Sequence, residues 1–404
     1  MRIDATSVTG TKIEPVTQKA KLPPKEVWQA SAAHFSTDFY NGFFSPLLPI
    51  IVTKMDISLV MAGSLVAILS IFNSLLQPVT GLLADKLHKN YFVVFGSLLT
   101  ALFMSLIGVV DQYYMLAILL ALSGIGTSLF HPQGAALVGR IPSSRPGFSM
   151  SIFNVGGSFG FAVGPLVVVP LVLKWGLHST VYSFFLAVIL LFFTFPVLNK
   201  WPNAAHREKP ELLKSLKGYG SMVFLLFFMV VIRASLTILF QSFTPMYLTT
   251  AGNSLFLGAM AVTVFQIFGT AGLLVGGYFM DRMNPITLLK ISFLMTFPFI
   301  LIFIFLPSAW GLPFYGIAAF FLFSSTPVNI LMGQSLLPKN ASFISGVMMG
   351  FGWGLGGMLA TPFGALADHT SLFTALFIVS LLAIPGFILA LLCPGSLKHA
   401  GRKF

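Results

Sequence analysis

Charged residues and cysteine are both scarce in this chain. Asp, Glu, Lys and Arg make up 8% of its 404 residues, whereas about 25% is usual for a soluble domain. Such a chain cannot keep its surface in water, which excludes a soluble globular fold. The single cysteine, Cys393, allows neither an internal disulfide nor a cysteine metal site. The sequence also lacks a His-Glu-x-x-His motif, paired carboxylates and a Ser-His-Asp set, so we expect no enzymatic activity, no cofactor and no bound metal.

Long apolar runs dominate what is present. Hydrophobic residues make up 56% of the chain, including 43 Phe and 17 Met. Twelve runs have the length of about 20 residues that spans a bilayer core. They cover approximately 27–52, 59–84, 91–110, 113–139, 148–173, 180–198, 221–248, 255–280, 286–306, 312–336, 343–366 and 372–393. The pattern predicts an all-α integral membrane protein with twelve transmembrane helices.

The basic residues indicate how these spans are oriented. Of the 23 Lys and Arg, twenty lie in the two tails, in the loops after even-numbered spans, or just inside the ninth span. The positive-inside rule therefore places both termini in the cytoplasm, and it explains the net charge of +12 without nucleic-acid binding. The chain divides into a cytoplasmic tail (1–26), a six-helix bundle (27–198), a cytoplasmic linker (199–220), a second six-helix bundle (221–393) and a cytoplasmic tail (394–404).

The two bundles repeat each other at a fixed distance. The sequence GLLADK at 81–86 is matched by GYFMDR at 277–282, which lies 196 residues later. Other positions keep this offset: Pro49 and Pro245, Pro142 and Pro338, Ser149 and Ser345, Gly156 and Gly352, and Gly160 and Gly356. The register predicts two parallel, pseudo-symmetric six-helix bundles. Duplicated membrane proteins of this kind are secondary transporters that rock one half against the other.

Four ionisable residues lie deep within the predicted spans: His34, Asp38, His131 and Arg233. An Arg or Asp at a helix centre costs about 2.5–3.5 kcal/mol, so such residues face a partner or a water-filled cavity. His34 and Asp38 are four residues apart and therefore share one helix face. We interpret them as a proton-coupling pair. The alternative is a hydrogen-bonded pair that ties the first helix to its neighbours.

Arg233 lies near the middle of the seventh span, level with Thr37 in the repeat register. Symmetry predicts that it faces the interface between the halves, where it pairs with Asp38 until an anionic substrate group replaces that partner. A permanent structural ion pair is the alternative. The same substrate cavity is predicted to include His131, Gln133, Asn154, Gln241, Phe130, Phe153 and Phe243. For the neutral polar residues, the alternative is a hydrogen bond that holds helices together.

Glycine recurs at short intervals in the fifth and eleventh spans. The positions are Gly156, Gly160 and Gly164, followed by Pro165, and in the second half Gly352 and Gly356. They lie within apolar helices rather than after strands, so they do not form a dinucleotide-binding motif. Small residues at this spacing let helix backbones approach closely. We expect these helices to act as contacts and hinges between the halves.

These motifs resemble those of the major facilitator superfamily. The segment 81–89 looks like its loop motif between helices two and three, and 156–165 looks like the glycine-proline motif of its antiporters. More narrowly, 129–134, 150–160 and 336–371 are similar to the fosmidomycin-resistance proteins. The superfamily resemblance implies a cytoplasmic gate in which aspartates of the loop motif contact helix N-termini across the halves. Its residues would be Asp85, Arg140, Asp281, Ser345 and Ser149.

The resemblance also implies a function. The family exports small, often anionic, drugs across the inner membrane in exchange for protons. Gln133 and Ser335 stand where the family is expected to have Glu, which leaves Asp38 as the only carboxylate deep in the spans. The alternative function is uptake or exchange of an organic anion or a metal chelate by the same fold. In either case, the expected partners are a small-molecule substrate, protons and the lipid bilayer, and one chain suffices for function.

Overall fold

The computed structural model of the protein describes residues 23–84, 89–143, 146–196, 219–280, 282–337, 344 and 347–393. The α-helices of the first half are α1 Lys25–Asn41, α2 Phe44–Met55, α3 Leu59–Ser70, α4 Gln77–Ala84, α5 Tyr91–Ser105, α6 Tyr113–Arg140, α7 Pro146–Trp175 and α8 Phe184–Thr194. Those of the second half are α9 Gly220–Thr250, α10 Leu255–Met280, α11 Pro285–Phe305, α12 Leu312–Ser324, α13 Thr326–Leu336, α14 Gly352–Met358, α15 Ala360–His369, α16 Leu372–Ser380 and α17 Ala383–Leu391. Two π-helical turns, Ile71–Leu75 and Val347–Phe351, adjoin α4 and α14.

The helices have the length and surface of membrane spans. Ten stretches of the described residues are long and apolar enough to cross a bilayer. Large aromatic side chains such as Tyr114, Phe192 and Trp310 are more than three-quarters exposed, which suits contact with lipid rather than water. The first and eleventh predicted spans are each built from two consecutive helices, α1 with α2 and α14 with α15. The predicted all-α membrane fold with twelve spans is confirmed.

Proline determines where the first and eleventh spans break. A proline within a helix removes one N–H and crowds the carbonyl four residues earlier. Pro46 lies four residues after Gly42, where α1 ends. Pro362 lies four residues after Met358, the last residue of α14. Each of these two spans is interrupted about one turn before its proline.

The glycines of α7 and α14 pack inside each half. Cβ atoms added to Gly156, Gly160 and Gly164 would collide with backbone carbonyl oxygens of α1, and Pro165 lies beside the end of α1. Cβ atoms added to Gly352 and Gly356 would collide with side chains of α9. The α7–α1 and α14–α9 contacts are equivalent in the repeat. The close backbone approach predicted for these glycines is present, and at these positions it joins neighbouring helices of the same half. The fifth and eleventh spans also contact the other half, through other residues such as Ala162 and Gly364.

The two halves meet along α3 and α15. Gly63 of α3 lies against the backbone of Ala360, and Gly364 of α15 lies against the backbone of Leu59. Both carboxylate oxygens of Asp368 accept backbone hydrogen bonds at the start of α3, from the N–H groups of Leu59 and Val60 at 2.8 Å each. A helix N-terminus carries a positive partial charge that favours such a carboxylate. The second half thus caps a helix of the first.

A further contact between the halves joins α7 to α10. Thr263 Oγ1 donates a hydrogen bond of 2.7 Å to the carbonyl oxygen of Ala162. The hydroxyl is buried, so this bond forms away from water, where an unpaired polar group is costly. Together with the α3–α15 contact, it fixes the position of one half on the other.

Candidate functional site

Three titratable side chains meet between α1 and α6. His34 Nε2 lies 3.2 Å from Asp38 Oδ2, and His131 Nε2 lies 3.5 Å from Asp38 Oδ1. The side chains of His34, Asp38 and His131 are 8%, 17% and 26% exposed, so His131 is the most accessible of the three. The predicted pairing of His34 with Asp38 is present. His131, predicted in the substrate cavity, joins this pair instead, and we call the three residues the His–Asp–His cluster.

The hydrogen bonds of His34 determine which of its nitrogens carries a proton. Nδ1 lies 2.8 Å from the carbonyl oxygen of Phe153, and a carbonyl only accepts, so Nδ1 is the donor. In a neutral imidazole, Nε2 would then carry a lone pair and no hydrogen. It nevertheless faces an Asp38 oxygen at 3.2 Å. A hydrogen bond between these atoms would require an imidazolium or a protonated carboxyl group, and the distance is short enough for the two side chains to share one proton.

The fifth span encloses this pair. A Cβ atom on Gly157 of α7 would lie 2.6 Å from Asp38 Oδ2 and closer still to His34 Nε2. The rings of Phe130 and Phe153 pack on the His34 ring, with centroids 5.4 Å and 4.3 Å away. Both phenylalanines are buried. They were predicted to line the substrate cavity, but in this structure they form the apolar wall around His34.

A neutral network holds the other side of Asp38. Asn41 Nδ2 lies 3.3 Å from Asp38 Oδ1 and 3.2 Å from Thr127 Oγ1 of α6. Thr127 in turn lies 3.1 Å from the hydroxyl of Thr100 on α5. Because an amide N–H donates without changing its charge, Asn41 stabilises the carboxylate form without adding a titratable group. The network connects Asp38 to α5 and α6.

Arg233 contacts residues of its own half. Its Nη1 donates to Ser325 Oγ at 3.4 Å and to Asn329 Oδ1 at 3.2 Å, and the residue is 2% exposed. The ion-pair partners of Asp38 in the described part of the chain are the two histidines. The prediction that Arg233 pairs with Asp38 is therefore wrong. The repeat register located Arg233 on the correct span, but it could not determine which way the side chain points around the helix.

The remaining predicted cavity residues face different neighbours. Gln133 bonds the backbone at the start of α5, to Val93 N and Lys89 O. Gln241 Nε2 donates to Gln266 Oε1 at 2.9 Å. The ring of Phe243 packs against α15, and Asn154 is exposed on α7. The structure does not bring these four side chains together.

Most of the predicted cytoplasmic gate lies outside the described residues. Asp85, Asp281 and Ser345 fall in the undescribed segments. Arg140, at the end of α6, donates from Nη2 to Asn90 Oδ1 at 3.1 Å. Ser149, at the start of α7, donates to Ser143 Oγ at 2.9 Å. The two described members thus contact residues that flank the undescribed loops.

The donor atoms of the His–Asp–His cluster lie within 4.8 Å of one another. Two imidazoles and a carboxylate are also a set that divalent cations accept. The sequence spacing did not indicate this arrangement, because His131 is almost a hundred residues from the pair. Proton binding by the cluster is therefore best measured with and without a chelator.

Several residues of the site had only weak signals in the sequence. Asn41 is three residues after Asp38 and thus lies on the same helix face. This spacing is visible in the sequence alone. Gly157 was visible only as one member of a glycine run. Asp368 was visible as one of the few acidic residues near a span end, but its contact with α3 joins positions 309 residues apart. Only the three-dimensional structure reveals that contact.

The comparisons with known proteins agree on one family. A sequence model of the Major Facilitator Superfamily matches residues 30–361. The fosmidomycin resistance protein of Escherichia coli K12 is 26% identical, with 92% of this chain and 93% of that protein covered. The multidrug resistance protein MdtG of Enterobacter lignolyticus is 24% identical, with 87% of each covered.

A solved structure has the same fold. It is a bacterial homologue of the human lysosomal transporter Spinster in an inward-facing and occupied conformation, with a TM-score of 0.73 and 13% identity. The match covers 94% of this chain and 96% of that one. At this identity, the similarity extends to the fold alone.

Proposed function

The chain belongs to the major facilitator superfamily of membrane transporters, and from that premise we propose that it exports small amphiphilic or anionic compounds in exchange for protons. Inward movement of a proton through the His–Asp–His cluster drives the alternation between inward-open and outward-open states. The names of the relatives, which refer to fosmidomycin resistance and multidrug resistance, support export of drug-like compounds. The location that we propose is the inner membrane, with both termini cytoplasmic as the basic residues indicate.

One observation carries the proton coupling: the contact of His34 Nε2 with Asp38 Oδ2 at 3.2 Å while Nδ1 donates to a carbonyl. A hydrogen bond in this arrangement would require a bound proton. When the proton leaves, two acceptor atoms face each other and repel, so α1 loses its contact with α7 around Gly157. Gain and loss of one proton are thereby linked to the packing of two helices of the first half.

His131 supplies the path by which the proton arrives or leaves. It is on α6, it is the most exposed residue of the cluster, and its Nε2 lies too far from Asp38 for a strong hydrogen bond at 3.5 Å. A small ring movement closes that distance. The two positions where the family is expected to have Glu do not contribute, because Gln133 bonds the start of α5 and Ser335 Oγ donates to Met332 O. The cluster is the single coupling site of this proposal.

The proposal is tested with Asp38→Asn, which preserves the shape of the side chain and removes its charge. We expect wild-type protein in proteoliposomes to move a compound against its gradient when a pH gradient is imposed. Asp38→Asn abolishes this accumulation and retains exchange of labelled for unlabelled compound. Fosmidomycin and a panel of antibiotics are the first compounds to assay, each with and without a chelator.

Asp111→Asn is the matched control. Asp111 is exposed and pairs with Lys54 at 2.6 Å on the surface, where an ion pair contributes little. This variant keeps the wild-type accumulation. Full pH-driven accumulation by Asp38→Asn would exclude the His–Asp–His cluster as the coupling site.

The second candidate function is uptake or exchange of an organic anion or a metal chelate. Arg233 is buried and has no carboxylate partner in the part of the chain that the structure describes, which favours an anionic ligand without favouring a direction of transport. Vesicles of known orientation separate the two functions, because an exporter accumulates compound on the side opposite to the cytoplasmic termini.

A further inference from the structure

Arg233 is a buried cation, and none of the described residues gives it a buried counter-charge. Residues 221–393 contain only two acidic residues, Asp281 and Asp368. Asp281 follows the last residue of α10, and Asp368 is bound to the start of α3. In the described part of the chain, Arg233 takes part in no ion pair. A buried charge that is left uncompensated costs several kcal/mol, so the fold retains Arg233 against a substantial penalty.

Arg233 Nε has no hydrogen-bond partner among the described residues, and it belongs to the edge of a guanidinium group that commonly binds oxyanions. Both hydrogen bonds of its guanidinium group leave from Nη1, toward Ser325 and Asn329. Nε is buried and has no hydrogen-bond partner among the described residues. The Nε edge of a guanidinium group donates two parallel hydrogen bonds to a carboxylate or phosphate group. In Arg233 the Nε end of this edge has no partner among the described residues, while Nη1 is held by Ser325 and Asn329.

The tenth span breaks beside this group. Helix α12 ends at Ser324 and α13 begins at Thr326, with Pro327 in its first turn. Ser325, at the break, contacts Arg233 Nη1 and also bonds Ser292 Oγ of α11 at 2.9 Å. The first N–H groups of an α-helix have no acceptor within the helix and carry a positive partial charge. The guanidinium group and the start of α13 therefore present positive charge to the same place.

Two hydroxyl groups near this place also lack partners. Thr326 Oγ1, on the first residue of α13, and Thr237 Oγ1, one turn after Arg233 on α9, are buried without a hydrogen bond in the described residues. Leaving a buried hydroxyl unsatisfied costs about 1–3 kcal/mol. Hydroxyl groups donate readily to anions. Three unsatisfied donors thus occur within one turn of helix from the Arg233–Ser325 contact.

We propose that Arg233, Ser325 and the start of α13 form a binding site for one small oxyanion, the carboxylate or phosphate-type group of a ligand. The site is enclosed within the second half and is separate from the His–Asp–His cluster of the first. Anion binding itself requires no part of the proton mechanism. Identification of the anion with a group of the transported compound rests on the proposed transport function.

Anion binding is measured on the purified full-length protein. Thermal unfolding is followed in a buffer whose bulk anion is gluconate, at constant ionic strength, with increasing inorganic phosphate or acetate. We expect a saturable rise in Tm of a few degrees, because a ligand that binds only the folded state stabilises it. Arg233→Gln abolishes the rise and leaves the Tm without added anion equal or higher, since an uncompensated charge is removed.

Two further kinds of variant keep the test decisive if Arg233→Gln fails to fold. Ser325→Ala and Thr326→Val retain the cation and weaken anion affinity at least threefold. Arg282→Gln removes an exposed arginine that stacks on Tyr278 and leaves the rise unchanged. The proposal is overturned if the wild type shows no saturable rise with either anion, or if Arg233→Gln or both hydroxyl variants show the wild-type rise.

Transport identifies the source of the anion. A carboxylate compound and its uncharged amide are compared in proteoliposomes. If the oxyanion belongs to the transported compound, Arg233→Gln lowers carboxylate transport at least tenfold and leaves amide transport unchanged. If the site holds a free inorganic anion, phosphate in the buffer stimulates transport of both compounds in the wild type and of neither in the variant. Both results support the site, and neither depends on the behaviour of Asp38→Asn.

Discussion

Asp38 depends on residues from several helices for its chemistry. His34 lies on its own helix, His131 and Thr127 on α6, and Gly157 on α7. The equivalent position in the second half of the repeat is occupied by alanine, so the coupling chemistry belongs to one half only. A change at any of these neighbours should therefore affect proton coupling even where Asp38 itself is intact.

Gly157→Ala tests this dependence with a single methyl group. The added Cβ would lie 2.6 Å from Asp38 Oδ2, so the methyl group separates α7 from α1 or displaces the His34–Asp38 contact. We expect at least a tenfold loss of pH-driven transport, measured in proteoliposomes, with the protein still folded in the membrane.

Gly139→Ala is the control for that substitution. Gly139 lies near the end of α6, and no atom of the described residues lies within 4 Å of a Cβ placed there. Alanine also favours helix over glycine by about 1 kcal/mol, so this variant should transport normally. Equal transport by the two variants would mean that the tight packing at Gly157 has no role in coupling.

The contact of α3 with α15 joins the two halves, and it depends on the carboxylate of Asp368. Asp368 caps the first turn of α3, and the glycines next to it let the two backbones touch. In the proposed orientation this contact lies at the outer end of the transporter. An opening of that end must break both hydrogen bonds.

Asp368→Asn should therefore favour the outward-open state. A charged group at a helix N-terminus contributes about 1 kcal/mol, which corresponds to a roughly fivefold change in the equilibrium. Spin labels at His178→Cys and Ser254→Cys, in a Cys393→Ser background, report the distance between the halves. We expect a larger fraction of long distances in the variant. Asp111→Asn, on the same end but within one half, should leave the distances unchanged, and an unchanged distribution in Asp368→Asn would rule out a latch at this position.

The sequence was sufficient to predict the helices and their duplication. It was not sufficient to predict which face of each helix packs against which neighbour. Apolar length predicted the spans, and the 196-residue offset predicted the duplication, because both properties are local or periodic. Rotation of each helix about its axis is fixed by packing, so Arg233 was assigned to the wrong partner and Phe130 and Phe153 to the wrong surface. Contacts between distant positions, such as His131 with Asp38, follow from the same packing and were not predictable from spacing.

The whole molecule combines two similar halves with different chemistry. The first half holds the His–Asp–His cluster, and the second holds the buried cation Arg233. They are joined by α3 with α15 and by α7 with α10. In the proposed mechanism, a proton acts on the packing of the first half, an anion binds in the second, and the contacts between the halves convert both events into a change of access.

Proton movement coupled to transport is the most direct test of this account. Proteoliposomes loaded with a pH-sensitive dye are mixed with the compound that the protein exports most strongly in the resistance panel, in the presence of a chelator. We expect a proton flux opposite to the compound flux in the wild type and in Asp111→Asn. In Asp38→Asn we expect no compound-dependent proton flux, although compound exchange continues. A compound-dependent proton flux of wild-type size in Asp38→Asn would contradict the account.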